Sequence, residues 1–238
     1  MATYKAVNVD QLDADMIALA NTIRTKGGTS GNLAWPAGYQ AAVEAIETGI
    51  LYTTNDRIAE TNSFAYYNLK SLVSVSFPNL KKLGGGNEFL DCSNLSHVNF
   101  PLVENISTSC FSRCEKLASV KFPAVKTVGS SGFNYCSNLA CADFDSVTEI
   151  KIYAFNENSN LRSLILRTGS VCLLRDVKAL NNTPIAKGSG YIYVPSALVD
   201  SYKVATNWST YAAQFRALES YTVDGTTTGE LDPTNTGT

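Results

Sequence analysis

The chain has 238 residues, of which 45% are apolar and 17% charged, with a net charge of −2. That is long enough for one or two domains with a substantial buried core. The near-neutral charge excludes a basic field for nucleic acid or anionic lipid, and a single histidine, His97, nearly excludes His-dependent triads, multi-histidine metal sites and imidazole acid–base pairs.

In chain order, the first predicted element is a helix over residues 10–26. Asp10 can cap it, Leu12, Met16, Leu19 and Ile23 share one face, and Gly27-Gly28 stops it. A second helix is predicted from Pro36 through Glu47, with Tyr39, Val43 and Ile46 as its apolar face. The two are too short to be stable alone. Residues 1–50 are therefore read as a helical capping or attachment segment that docks on the first coil, on another copy of the chain or on another protein.

Beyond residue 50 the chain repeats. Phe89, Phe111, Phe133 and Phe155 are 22 residues apart, as are Leu95, Leu117, Leu139 and Leu161, and Phe100, Phe122, Phe144 and Leu166. An earlier copy (Tyr66, Leu72, Phe77, Pro78, Leu80 and Leu83) fits with one extra residue, placed in Gly84-Gly85-Gly86. The unit reads Phe-x-x-Cys-x-Asn-Leu-x-x-Val-x-Phe-Pro-x-Val-x-x-Ile. One such coil cannot bury its own apolar face, so coils stack and share a core. Val98 and Phe100 alternate with His97 and Asn99 as a half-buried strand requires, and Pro101 ends the strand. Stacked coils then build a parallel sheet along the molecule. The Val103 and Ile106 positions supply a second apolar edge.

The six cysteines are read as free structural thiols in a chain without an export signal. Cys92, Cys114 and Cys136 occupy one position in successive coils, where a small apolar side chain packs inside. Cys110-Phe-Ser-Arg-Cys114 is a weak signal for zinc or redox chemistry. Neither metal nor cofactor is expected.

The period breaks through Thr168–Gly190, then Tyr191-Ile-Tyr-Val-Pro195 repeats the strand-plus-proline signature, giving about six stacked strands over residues 51–195. Residues 196–221 are predicted to be a helical cap. Ser196 starts a helix through roughly Thr206, with Leu198, Val199 and Tyr202 toward the core; Asn207-Trp208-Ser209 forms a break, and Tyr211, Phe215 and Leu218 suggest a further helical turn or two. Residues 222–238 carry almost no apolar side chains and read as a flexible tail. The fold class is thus an α+β repeat protein.

The copies from Phe89 to Leu166 resemble the BspA-like class of leucine-rich repeats, which implies a leucine-rich-repeat solenoid and a binding or structural role without catalytic residues. The segment from Thr183 to Ser209 resembles the C-terminal close of such proteins from Gram-positive gut bacteria and their phages. Residues 4–46 resemble a leader found ahead of repeats in phage structural proteins. The N-terminus lacks the apolar core of a signal peptide, and no run approaches the about 18 apolar residues of a membrane span. Membrane insertion is not expected. These features point first to a virion component, such as a tail or fibre protein made in the host cytoplasm, whose partners are other virion proteins or a host surface protein or glycan. Resemblance to phage fibres suggests a homo-oligomer, with a trimer as the guess. The alternative is a bacterial cell-surface adhesion protein. An enzyme is not expected: His97 sits on a strand face without a carboxylate to orient it.

The candidate binding surface is the exposed strand face. Its two ladders run Ser74, His97, Ser119, Cys141, Ser163, Tyr191 and Ser76, Asn99, Lys121, Asp143, Ile165, Tyr193. Tyr191 and Tyr193 either form an anchor at one end, together with Ile165, or lie under the C-terminal cap. Leu12, Met16, Leu19, Ile23, Tyr39, Val43 and Ile46 are the candidate attachment or oligomerisation residues.

Overall fold

A computed structural model describes residues 51–54, 59–220, 222–223 and 226–227. The predicted N-terminal helices, with Leu12, Met16, Leu19, Ile23, Tyr39, Val43 and Ile46, lie outside the described residues.

The repeat folds as stacked coils, each contributing one strand to a long parallel ladder. Strands β1 (Leu51–Thr54), β2 (Leu72–Ser76) and β3 (His97–Asn99) form one three-stranded sheet. The second apolar edge is itself a small parallel sheet. Its strands are β4 (Asn105–Ile106), β6 (Thr127–Val128), β8 (Glu149–Ile150) and β10 (Leu173–Leu174), while the main ladder resumes in between with β5 (Ser119–Phe122), β7 (Cys141–Phe144) and β9 (Ser163–Leu166). After β11 (Tyr191–Val194) come helix α1 (Val199–Val204) and strand β12 (Phe215–Ala217), which pairs parallel with β11. The main ladder therefore has three strands plus five among the described residues, rather than about six. Leu51–Thr54 adds one at the start. Phe215–Ala217 adds one at the end, where a helical turn was expected. Short strands β13 (Thr222–Val223) and β14 (Thr226–Thr227) pair antiparallel.

Two phenylalanine rows fill the coils. Phe89, Phe111, Phe133 and Phe155 stack at centroid distances of 5.3, 5.2 and 5.4 Å with nearly parallel rings. Phe77, Phe100, Phe122 and Phe144 pack against them and are likewise buried. The recurring cysteine does more than fill space. The Sγ of Cys92, Cys114 and Cys136 donates to the carbonyls of Tyr66, Phe89 and Phe111 at 2.9, 3.2 and 3.0 Å, tying each coil to the one before.

On the turn side of each coil the backbone must aim its N–H groups along the stack. Phe89, Phe111 and Phe133 donate to the carbonyls of Cys110, Gly132 and Ala154, each at 2.8 Å. That geometry puts two residues per turn in the left-handed region: Asn87 and Asp91, Ser109 and Arg113, Ser131 and Tyr135, Tyr153 and Glu157. The glycine insertion has a tighter reason. A Cβ on Gly84 would lie 1.8 Å from the carbonyl oxygen of Thr61, so only glycine lets these two coils approach. Glu88, buried next to the insertion, accepts from the Gly86 N–H at 3.0 Å and from the Ser107 hydroxyl.

The far end is closed by aromatic side chains whose polar atoms meet the last coil's backbone. Trp208 Nε1 donates to the Cys172 carbonyl at 2.6 Å, Tyr202 Oη accepts from the Cys172 N–H at 2.9 Å, and Tyr211 Oη donates to the Val177 carbonyl at 2.6 Å. These groups replace the hydrogen bonds that a further coil would make. Trp208, read from sequence as part of a break, is a buried plug.

Candidate binding face

The ladder registers place the candidate residues as expected. Ser74 pairs with His97 and Ser76 with Asn99; Ser119, Cys141, Ser163 and Tyr191 are in line, as are Lys121, Asp143, Ile165 and Tyr193. The face is not uniform. His97 and Asn99 are exposed, while Ser74, Ser76, Ser119 and Lys121 are half-buried. Asn99 Nδ2 donates to Ser76 Oγ at 2.9 Å, so the amide is held across the sheet.

Two candidates are corrected. Asp143 and Ile165 are buried, not exposed. Arg167 closes over Asp143 with a two-pronged ion pair, Nε to Oδ1 at 2.9 Å and Nη2 to Oδ2 at 3.0 Å, and its Nε also lies 3.5 Å from Asp145. Burial pushes the Asp143 carboxyl above its ordinary value, an effect that the Arg167 hydrogen bonds oppose. Ile165 sits in the ladder between Asp143 and Tyr193 and has no exposed surface. The anchor at this end is thus reduced to Tyr191 and Tyr193. Tyr191 remains 38% exposed with the Arg216 guanidinium 4.3 Å from its ring centroid, and Tyr193 is half-buried next to β12. The cap therefore covers the pair in part.

The open part of the face has a feature that no residue pattern announced. β3 and β5 belong to different sheets, so the ladder is interrupted between them. Val98 is half-buried there, whereas its counterparts Val75, Val120, Ala142 and Leu164 are fully covered. The interruption opens a cleft of about 310 Å³, with Val98, Pro101 and Pro123 as apolar walls and His97, Asn99, Ser119 and Lys121 as polar groups around them. An apolar floor with a few polar groups at its mouth can hold a small moiety and orient it. Sequence alignment of the coils finds His97, Asn99, Ser119 and Lys121. It misses Ser96, Val98 and the two prolines, because Val75, Val120 and Pro78 hold the corresponding places in neighbouring coils and only the break makes these reachable.

Among the described residues no group of three His, Cys, Asp or Glu side chains is placed to hold a metal ion, and no helix is long and apolar enough to cross a membrane.

Three solved structures are similar to this chain. A leucine-rich repeat protein of Treponema pallidum has a TM-score of 0.48 at 21% identity, covering 71% of this chain and 85% of its own. A leucine rich cell surface protein of Faecalibacterium prausnitzii has a TM-score of 0.45 at 22% identity over 73% of this chain and 41% of its own. The pneumococcal vaccine antigen PcpA has a TM-score of 0.56 at 14% identity over 72% of this chain and 41% of its own. The last likeness supports the solenoid fold, and this chain spans less than half of that protein. No curated protein matches the sequence. The sequence model of the BspA type leucine rich repeat region matches six copies, over residues 51–140 and 85–184. With stacked 22-residue coils, a parallel strand ladder and that match over more than half of its length, the chain belongs to the BspA-type leucine-rich-repeat family.

Proposed function

We propose that the protein is a non-enzymatic adhesion or interaction protein, and that its strand face around the β3–β5 cleft is where a partner is held. The observation that carries this reading is the cleft itself: a break in an otherwise regular ladder that exposes Val98 between His97, Asn99 and Lys121. A solenoid presents such a face rigidly, which limits the entropy lost on binding. The bacterial cell surface is the favoured location. The structural likeness with a TM-score above one half is to a protein named as a pneumococcal vaccine antigen, which suits a bacterial surface role better than a phage particle. The virion reading draws its support from features of the sequence alone.

Two measurements test these statements. Fluorescently labelled full-length protein should bind intact epithelial or bacterial cells in flow cytometry, and the triple variant His97→Ala, Asn99→Ala, Lys121→Ala should lose most of that binding with its melting temperature unchanged. Unaltered binding by a folded triple variant overturns the assignment of the face. Antibody against the solenoid should label intact producing cells; detection of the chain only in purified phage particles would return the virion reading to first place.

A further inference from the structure

We propose that the β3–β5 cleft receives the acetamido group of a neutral N-acetylhexosamine, one sugar unit of a glycan. The proposal rests on the reading of this cleft as the place where a partner is held, and it names the chemistry of that partner.

The starting observation is the backbone at the break. In the regular ladder the inward residues of one coil turn their peptide groups toward the next. Phe77 N–H donates to the Asn99 carbonyl at 3.1 Å, and the Phe144 carbonyl accepts from Arg167 N–H at 2.9 Å. By the same alternation the N–H and C=O of Val98 face β5, where the ladder stops and the cleft begins. The break is short and closed at both ends. Lys116 N–H donates to the Ser93 carbonyl at 3.3 Å just before it, and Lys126 N–H to the Glu104 carbonyl at 2.7 Å just after it. An extended peptide lying between the strands needs about 9.6 Å, twice the strand spacing, along its whole length. The flanking bonds and the β4–β6 pairing hold the two coils at a single spacing, so the cleft admits one short planar group from the open face.

The walls indicate which group. It needs an N–H and a C=O to complement the peptide edge at Val98, and a methyl-sized apolar end to meet Val98, Pro101 and Pro123. An acetamido group is one peptide unit ending in a methyl. At the mouth, Ser119 and Lys121 offer donors to ring hydroxyls. Asn99, whose Nδ2 donates to Ser76 Oγ at 2.9 Å, offers Oδ1 as an acceptor. A volume of about 310 Å³ suits one sugar unit rather than a long chain. The charge beside the cleft is balanced. Lys121 is the fixed charge among the lining residues, and Asp143 stands next to it in register. Arg167 binds Asp143 and lies 3.5 Å from Asp145, so this group holds two charges of each sign. That balance favours a neutral sugar over an acidic or an amino one.

The test uses the full chain with a trimer of N-acetylglucosamine and, as the second arm, cellotriose, which carries a hydroxyl where the first has each acetamido group. Calorimetry gives the affinities and saturation-transfer NMR the ligand atoms in contact. The acetylated trimer should bind equally at low and moderate salt, and cellotriose about tenfold more weakly or not at all. Saturation should pass most strongly to the acetyl methyl protons. Val98→Thr keeps the branched shape and sets a hydroxyl against that methyl, so it should lose about fourfold in affinity, the worth of one methyl contact. The methyl readout on the unaltered protein decides the matter even if the variant does not fold. Absence of binding by the acetylated trimer, equal binding of cellotriose, saturation strongest on ring protons, or affinity that falls with salt overturns the proposal. If one of these occurs while the His97, Asn99, Lys121 triple variant still loses cell binding, the cleft takes another chemistry, such as a peptide, and its role in adhesion stands. If the triple variant binds cells like the unaltered protein, the assignment of the face falls as well.

Discussion

At the scale of single residues, the buried pair Asp143–Arg167 shows how a coil position departs from its neighbours. Ser, Lys and Ile occupy equivalent places without needing a partner of opposite charge, but a carboxylate under cover does. Removing Arg167 takes away the two-pronged partner and leaves Lys121 as the cation facing Asp143, so Arg167→Met should lose about 3 kcal/mol at neutral pH, the lower end for a broken buried pair, read by chemical denaturation. The sign of its pH dependence follows from burial. The folded Asp143 holds its proton to higher pH than the unfolded chain does, and without Arg167 the shift grows. Stability therefore rises as pH falls through the folded value toward the unfolded one near about 3.9, and the deficit of Arg167→Met should shrink on acidification. Adding Asp143→Asn should restore most of the loss at neutral pH; a deficit independent of pH would show that the charge is not the cause. The thiols give a second check. Five of the six cysteines are buried and Cys141 is half-buried. Burial pushes the thiol of Cys92 up to about 11 and that of Cys172 up to about 12, and also raises those of Cys110, Cys114 and Cys136 well above the ordinary thiol value. One thiol per chain should react readily with a disulfide reagent under native conditions, and it should map to Cys141; all six should react in denaturant.

At the scale of elements, what was legible in the sequence is what the period repeats. β2, β3, β5, β7, β9 and β11 could be placed because alternation and a following proline or polar residue recur in register. β12 could not. Tyr211, Phe215 and Leu218 are spaced four and three apart, as on a helix, and only pairing with β11 makes Phe215–Ala217 a strand. Burial of Asp143 was invisible for a related reason. Its partner Arg167 lies 24 residues on, just past one coil, and the two meet only once the coils stack. The break between β3 and β5 has no signature in either strand. The Gly84 insertion was legible as an extra residue in one coil, but its cause is a backbone contact with Thr61. Gly84→Ala should accordingly destabilise by several kcal/mol, in the range reserved for backbone overlap. Gly169→Ala meets nothing within 4 Å and should be nearly neutral. Paired thermal melts decide this, and equal effects of the two substitutions would refute the close-approach account.

At the scale of the whole molecule, stability is shared between neighbouring coils rather than drawn to one centre. The phenylalanine rows, the turn ladder and the thiol bonds each link a coil to the next, so free energy should add coil by coil. Excising residues 109–130 removes one complete unit and joins Thr108 to Ser131. Phe133 then takes the place of Phe111 against Phe89, Cys136 takes that of Cys114, and the Asp143–Arg167 pair is untouched. The shortened chain should fold with the same type of circular dichroism spectrum and a lower denaturation midpoint. Removing only residues 109–119 sets the remaining coils half a period out of register, placing strands over turns, and should abolish cooperative unfolding. The full excision also removes Ser119 and Lys121 and so dismantles one wall of the cleft. Cell binding through the strand face should therefore fall. A shortened protein that folds and loses cell adhesion would tie adhesion to the cleft; one that fails to fold would show that the coils are not the independent units their contacts imply.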